Sequence, residues 1–245
     1  MGSFMKDQID PLNCVLSSWK ELLEIYTAKS RRWNLLFMKW GEEILPEHFN
    51  ISFGYFGIFW HEADVVTYLS ALLSKCISKR DSTEFEIHVN YKLNPRNFRN
   101  NKVLYKKIVN SIEDLREHKI IKKSDFPEVD IIVSDLEKSN FTLCLEVKYF
   151  HYDPRGKYKD VVEHLIRKVR ILRSLRKNEV CSIIGILVLD DYLCRVSSTI
   201  YSQLHSFINN NRSYDMISEY KCVTYEELMQ AYSTYIRSLK KNKDL

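Results

Sequence analysis

Three charged residues interrupt apolar segments that have the pattern of buried β-strands. Asp130 lies within Val129–Val133, and Glu146 and Lys148 lie within Phe141–Phe150. Because side chains alternate along a strand, Glu146 and Lys148 project from the same face, about 7 Å apart. If the two strands are neighbours, Asp130 can approach Glu146. Two carboxylates held together in a partly dry site repel each other unless a cation joins them, so these residues predict a cation site.

Oxygen ligands in a site open to substrate suit Mg²⁺ or Mn²⁺. A lysine beside such a site can hold a water molecule or stabilise a phosphoryl transition state. The alternative for Glu146 and Lys148 is an amphipathic strand whose polar face meets water, and the alternative for Asp130 is a capping carboxylate at the start of a strand. The apolar surroundings of all three favour the active-site interpretation.

A fourth acid, Glu62, lies near the start of a helix predicted over about residues 59–78. Glu62 precedes Val65 by three positions and Val66 by four, so it lies on the apolar face of this helix, where a carboxylate needs a partner. Asp64 falls on the opposite, polar stripe. Helical geometry therefore selects Glu62 as the functional acid, with an interaction between an N-terminal acid and the helix dipole as its alternative.

The elements that must position these residues follow from the hydrophobic periodicity. Strands are predicted at 84–93, 129–134, 141–150 and 180–189. Helices are predicted within 11–46 and at 59–78, 102–118, 158–177, 197–209 and 224–239. This order indicates an α/β fold with a mixed sheet flanked by helices, in which strand 141–150, helix 158–177 and strand 180–189 form a βαβ unit.

Composition removes several other kinds of chemistry. The chain has 245 residues, a formal net charge of +5 and only 6 glycines. No glycine spacing fits a P-loop, a dinucleotide-binding fingerprint or a nucleophile elbow. The mild positive charge is compatible with an acidic partner such as nucleic acid.

The cysteines and the hydropathy predict an intracellular, cytoplasmic protein that does not enter a membrane. The 6 cysteines are scattered and never form Cys-x-x-Cys, so we expect free thiols in a reducing compartment rather than a disulfide framework. No apolar run approaches the roughly 20 residues of a membrane span.

Asp130 followed by Glu146-Val147-Lys148 resembles the catalytic core of the PD-(D/E)XK nucleases, which have the restriction-endonuclease-like fold. The resemblance covers about residues 58–190, and the α-β-β-β-α-β order of that core matches the predicted elements. It implies an N-terminal helical extension over 1–57, a nuclease core over 58–190 with an insertion at about 94–123, and a C-terminal helical extension over 191–245. The proline precedes the aspartate by three positions here rather than one.

The resemblance also implies a role for each chemical residue. Asp130 and Glu146 would be metal ligands, with the carbonyl of Val147 as a further ligand. Lys148 would be the catalytic lysine that positions or activates the attacking water. Glu62 matches the acidic residue that many members carry on the first helix, as another ligand of Mg²⁺ or Mn²⁺.

Basic side chains that could meet phosphates form two groups. One group lies on and before the helix at 158–177, and the other lies in the insertion. The candidates are Lys157, Lys159, Arg167, Lys168, Lys106 and Lys107.

The resemblance leads us to expect a metal-dependent nuclease that hydrolyses phosphodiester bonds, with DNA as its substrate, in restriction, phage defence or recombination. It is compatible with a homodimer or a larger defence complex. Two alternatives remain open: an RNA endonuclease of the same fold, of the cap-snatching type, and a non-catalytic module with a degenerate nuclease core that binds nucleic acid or protein.

Overall fold

A computed structural model of the chain describes residues 11–26, 62–78, 85–135, 140–150, 161–190, 197–213 and 216–222. The helices are α1 (11–26), α2 (Glu62–Ser78), α3 (Lys102–Glu117), α4 (Val161–Lys177) and α5 (Ser198–Asn211). The strands are β1 (Phe85–Lys92), β2 (Glu128–Asp135), β3 (Phe141–Phe150), β4 (Cys181–Asp190) and β5 (Met216–Cys222). The predicted boundary between residues 57 and 58 and the predicted helix 224–239 lie outside these ranges.

All five strands belong to one sheet, in the order β1-β2-β3-β4-β5. β1, β2 and β3 pair antiparallel, whereas β3, β4 and β5 pair parallel. Parallel neighbours need long crossover connections, and these contain α4 and α5. The α/β prediction, with a mixed sheet flanked by helices, is therefore confirmed, as is the βαβ unit of β3, α4 and β4. Within the described ranges no helix is long and apolar enough to cross a bilayer.

Side chains of β3 alternate between two buried clusters, one on each face of the sheet. Leu145 and Val147 pack in the cluster that includes α1 and α2. Cys144 and Phe150 pack in the cluster that includes α3, α4 and α5. The residues predicted as an insertion, about 94–123, form α3 and contribute apolar side chains to this second cluster. By the same alternation, the charged positions of β3 project from the face that α4 covers.

The C-terminal extension also contributes a strand, so the prediction that it is purely helical is wrong. Strand β5 pairs parallel with β4 along its whole length. Only its first three residues are buried, so its sequence, MISEYKC, has neither the continuous apolar run nor the strict alternation that identifies a strand. Pairing with β4 organises this segment, and such pairing leaves little trace in a local pattern.

The expectation of free cysteines is wrong for part of the chain. Cys14 of α1 and Cys76 of α2 form a disulfide, with their Cα atoms 5.8 Å apart, and Cys222 is also disulfide-bonded. Cys144 and Cys181 are free and buried, as predicted for small hydrophobic residues. The bridge was missed because the packing of α1 against α2 brings together two cysteines that are 62 positions apart.

Replacing Cys14 by Ser is expected to lower the free energy of unfolding by about 4 kcal/mol, since a bridge across this separation restricts the unfolded chain strongly. Urea unfolding of the oxidised proteins measures the difference. A reductant should destabilise the wild type more than the Cys14→Ser variant, because only the wild type has this bridge to lose. Equal shifts in the two proteins would contradict the assignment.

Candidate active site

Asp130 and Glu146 form a buried pair of carboxyl groups at the point where β2 and β3 stop pairing. The backbone pairing of these strands reaches Ile131 and Leu145, and the next position on each strand is Asp130 and Glu146. Only 8% of Asp130 and 3% of Glu146 is exposed. The two carboxyl groups lie close enough that each affects the pKa of the other.

Burial dominates the electrostatics of this pair. It raises the pKa of Asp130, against the lowering effects of the Val147 N–H and the charge of Lys168. Burial and the neighbouring charge of Asp130 raise the pKa of Glu146 well above its usual range. Between the ordinary glutamate pKa and the raised one, folded Glu146 keeps a proton that the unfolded chain releases, so its contribution to stability falls as pH rises through this window. At neutral pH the pair is electrostatically unfavourable unless a cation lies beside it.

Two acids bind backbone N–H groups along the edge of β3. The N–H of Val147 donates to Oδ2 of Asp130 at 2.7 Å, and the N–H of Tyr149 donates to Oε2 of Glu62 at 3.2 Å. These N–H groups lie beyond the pairing with β2, so carboxylates replace a strand as their acceptors. Each bond uses part of the four lone-pair positions of a carboxylate. The remaining positions are available for a second partner.

Glu62 and Lys148 join in an ion pair that connects α2 to β3. The distance from Nζ of Lys148 to Oε2 of Glu62 is 2.5 Å, and the exposed fractions of the two side chains are 23% and 33%. Glu62 begins α2, and the side chains of Val65 and Val66 are buried one turn later. Asp64, the acid that helical geometry set aside, is exposed. The structure thus places Glu62 at the same end of the sheet as Asp130 and Glu146.

Lys168 occupies a position that the sequence did not reveal. Its Nζ lies 2.5 Å from Oε1 of Glu146, with 17% of the lysine side chain exposed, and 3.4 Å from the backbone oxygen of Glu128. From the sequence, Lys168 is predicted only as a phosphate contact. The signal that could have found it is its place between Leu165 and Leu172 on α4, at the border of the buried stripe that packs on the sheet.

His164 precedes Lys168 by one helical turn and was also missed. Its pKa is lowered by partial desolvation and by the positive charges of Lys148 and Lys168. A histidine pKa below its ordinary value leaves the imidazole neutral at pH 7. The site therefore contains a neutral side chain that can accept or donate a hydrogen bond next to two lysines.

The other basic candidates lie in different surroundings. Nε of Arg167 donates to the backbone oxygen of Ile120 at 2.9 Å, which fixes this side chain against the segment after α3. Lys106 is exposed on α3. Lys107 pairs with Glu179 at 3.4 Å. Glu179 follows the C-terminal end of α4, which lies about 14 Å along the helix axis from Lys168. Lys157 and Lys159 lie outside the described residues.

The predicted set of three acidic metal ligands is not assembled as one cluster. No group of three or more His, Cys, Asp or Glu with the arrangement of a metal site occurs in the part of the chain that the structure describes. Asp130 and Glu146 meet, whereas Glu62 is engaged by Lys148 and the Tyr149 N–H. The carbonyl of Val147 leaves β3 on the same edge as its N–H, towards Asp130.

The donor set nevertheless fits a hard divalent cation. Mg²⁺ is commonly held in proteins by one or two carboxylates together with water and substrate oxygens. Asp130 and Glu146 supply the two carboxylates, and their mutual repulsion favours a cation between them. In the present structure the ammonium group of Lys168 forms an ion pair with Glu146.

Comparison with known proteins gives no relative to this chain: no family model, no curated protein and no solved structure matches it.

Proposed function

We propose that this chain is a Mg²⁺- or Mn²⁺-dependent nuclease with a restriction-endonuclease-like core that hydrolyses phosphodiester bonds in DNA. The observation that carries the proposal is the buried pair of Asp130 and Glu146 at the end of the sheet, with Lys148 on the same face of β3. Burying two acids beside each other lowers the stability of the folded protein. A buried acid pair with strongly shifted pKa values is therefore a candidate functional site.

The order of elements supports the same core. Helix α2, the antiparallel strands β1 to β3, helix α4 and the parallel strand β4 occur in the order α-β-β-β-α-β, with α3 inserted between β1 and β2. In that arrangement the end of β2 and the middle of β3 lie beneath α4, where Asp130 and Glu146 are found. Strand β5 and helices α1, α3 and α5 are additions to this core. Their surfaces would contact the substrate and determine specificity.

Asp130 and Glu146, with the carbonyl of Val147, would hold the metal, and Glu62 would add an oxygen through water. The metal would supply an activated water and offset negative charge on the scissile phosphate. Lys148 would orient the attacking water, while Glu62 holds the ammonium group of Lys148 at 2.5 Å. His164 would exchange a hydrogen bond with the substrate or the leaving group from α4.

A second candidate is a non-catalytic module that binds nucleic acid or a protein partner. The observation that favours it is that lysines already neutralise both glutamates, Glu62 through Lys148 and Glu146 through Lys168. Such a module would bind nucleic acid in a salt-dependent way and without metal-dependent cleavage.

A cleavage assay separates these functions. The purified full chain is incubated with labelled single-stranded DNA, duplex DNA and RNA, in Mg²⁺, in Mn²⁺ and in EDTA. The nuclease proposal predicts cleavage of DNA in either metal and none in EDTA. Cleavage of RNA alone would favour the RNA endonuclease. Salt-sensitive binding with no cleavage in either metal would contradict the nuclease proposal and favour the binding module.

A further inference from the structure

Lys168 lies deeper in the site than a residue that only contacts solvent or phosphate. Its ammonium group touches Oε1 of Glu146 and approaches the backbone oxygen of Glu128. Glu146 is 3% exposed, so this ion pair is largely withdrawn from water. A charge-assisted hydrogen bond at this depth is strong, because each partner would be costly to leave alone.

The charges of the site form an outer pair and an inner group of three. Lys148 neutralises Glu62 on the outer side, and Lys168 neutralises the buried pair of Asp130 and Glu146 on the inner side. The charge of Lys168 acts on both inner acids. Lys168 thus supplies positive charge that a bound metal ion would otherwise supply.

An ammonium group and a divalent cation on the same carboxylate repel each other, so cation binding is opposed while Lys168 holds Glu146. The lysine has a flexible four-carbon chain and starts from the border of the buried stripe of α4, so it can move away without unfolding the helix.

We propose that Lys168 is a positioning residue that acts as an internal counter-ion: it holds Glu146 in the metal-free protein and must leave Glu146 when a divalent cation binds. This inference rests on the proposed metal site and adds to it a residue that sets the metal affinity. The ion pair keeps the acids in place and keeps the site inactive at low metal concentration.

The test is Mn²⁺ binding, measured by calorimetry on the full chain without nucleic acid. Lys168→Met keeps the length and the apolar part of the side chain but removes the competing charge. All proteins are measured in the same buffer at the same pH. Lys168→Met is expected to bind Mn²⁺ roughly tenfold more tightly than the wild type, because the variant lacks the ammonium group that competes with Mn²⁺ for Glu146.

Two variants serve as controls. Lys177→Met removes a lysine from the same helix that pairs with Asp114 at 2.9 Å, and it is expected to leave Mn²⁺ affinity unchanged. Lys168→Arg retains the positive charge and is expected to stay close to the wild type. A lysine with only a structural role would give Lys168→Met equal or weaker Mn²⁺ binding.

The outcomes separate this inference from the proposed function. If the wild type binds Mn²⁺ through Asp130 but Lys168→Met binds no more tightly, the counter-ion role is wrong and the metal site stands. If neither the wild type nor Lys168→Met binds Mn²⁺, both proposals are wrong. Tighter binding in Lys168→Met that is abolished by adding Asp130→Asn supports both.

Discussion

Asparagine in place of Asp130 is expected to lower the rate of metal-dependent DNA cleavage by about a thousandfold or more. A metal in such a site supplies several kcal/mol of transition-state stabilisation, and each 1.4 kcal/mol corresponds to a factor of about ten. Asparagine is close in shape and its oxygen can still accept the N–H of Val147, now at 2.7 Å from Oδ2 of Asp130. What it removes is one of the two charges that hold the metal.

The same variant is expected to be more stable than the wild type when no metal is present. The carboxyls of Asp130 and Glu146 raise each other's energy in the ionised state, since burial and the charge of Asp130 both raise the pKa of Glu146. Replacing one acid by a neutral amide relieves that repulsion. Activity and stability would then change in opposite directions, which is a pattern of functional sites rather than of structural ones.

Single-turnover cleavage and thermal unfolding in EDTA measure the two effects on the same samples. Asp125→Asn is the matched control, because Asp125 lies five residues before Asp130 and accepts a hydrogen bond from Ser124 rather than from the site. It should retain wild-type cleavage. Wild-type cleavage by the Asp130→Asn variant would show that the buried pair is not the catalytic centre.

Methionine in place of Lys148 has the second largest expected effect. We expect kcat to fall by about a hundredfold to a thousandfold, because removing one preorganised donor to a developing charge has an effect of this size. The affinity for Mn²⁺ should not fall, because Lys148 contacts Glu62 and not the buried acid pair. Stability should change little, since Glu62 is a third exposed and can be solvated by water.

Lys92→Met is the matched control for that change, since Lys92 ends β1 with an exposed side chain. It is expected to cleave like the wild type. A Lys148→Met enzyme with unchanged kcat and a raised KM would indicate that Lys148 binds substrate without acting in the chemical step.

Much of the fold follows from local patterns in this chain. The run in β4, CSIIGILVLD, is apolar enough to identify a strand buried on both faces, and helix α4 has a clear apolar stripe. β5 has neither signal, and its identity as a strand depends on the long-range pairing with β4. The bridge between Cys14 and Cys76 was hidden for the same reason, because it depends on how two helices pack.

Some residues of the candidate site can also be predicted from local patterns, and others cannot. Alternation along β3 places Glu146 and Lys148 on one face, and helical spacing selects Glu62 over Asp64. The structure brings these residues together with Asp130 at one end of the sheet. The basic run around Lys168 predicts only a phosphate contact for this residue, because such runs usually lie at the surface. Its contact with Glu146 depends on how α4 crosses β3, which no spacing within α4 can supply.

The proposed nuclease function depends most on the binding of a divalent metal between Asp130 and Glu146. Anomalous diffraction from a crystal soaked in Mn²⁺ tests this directly, and trace amounts of another nuclease cannot affect it. We predict one strong anomalous peak within bonding distance of both carboxylates, with Nζ of Lys168 displaced from Glu146. A crystal in which Lys168 still contacts Glu146 and no manganese lies at the pair would contradict the account.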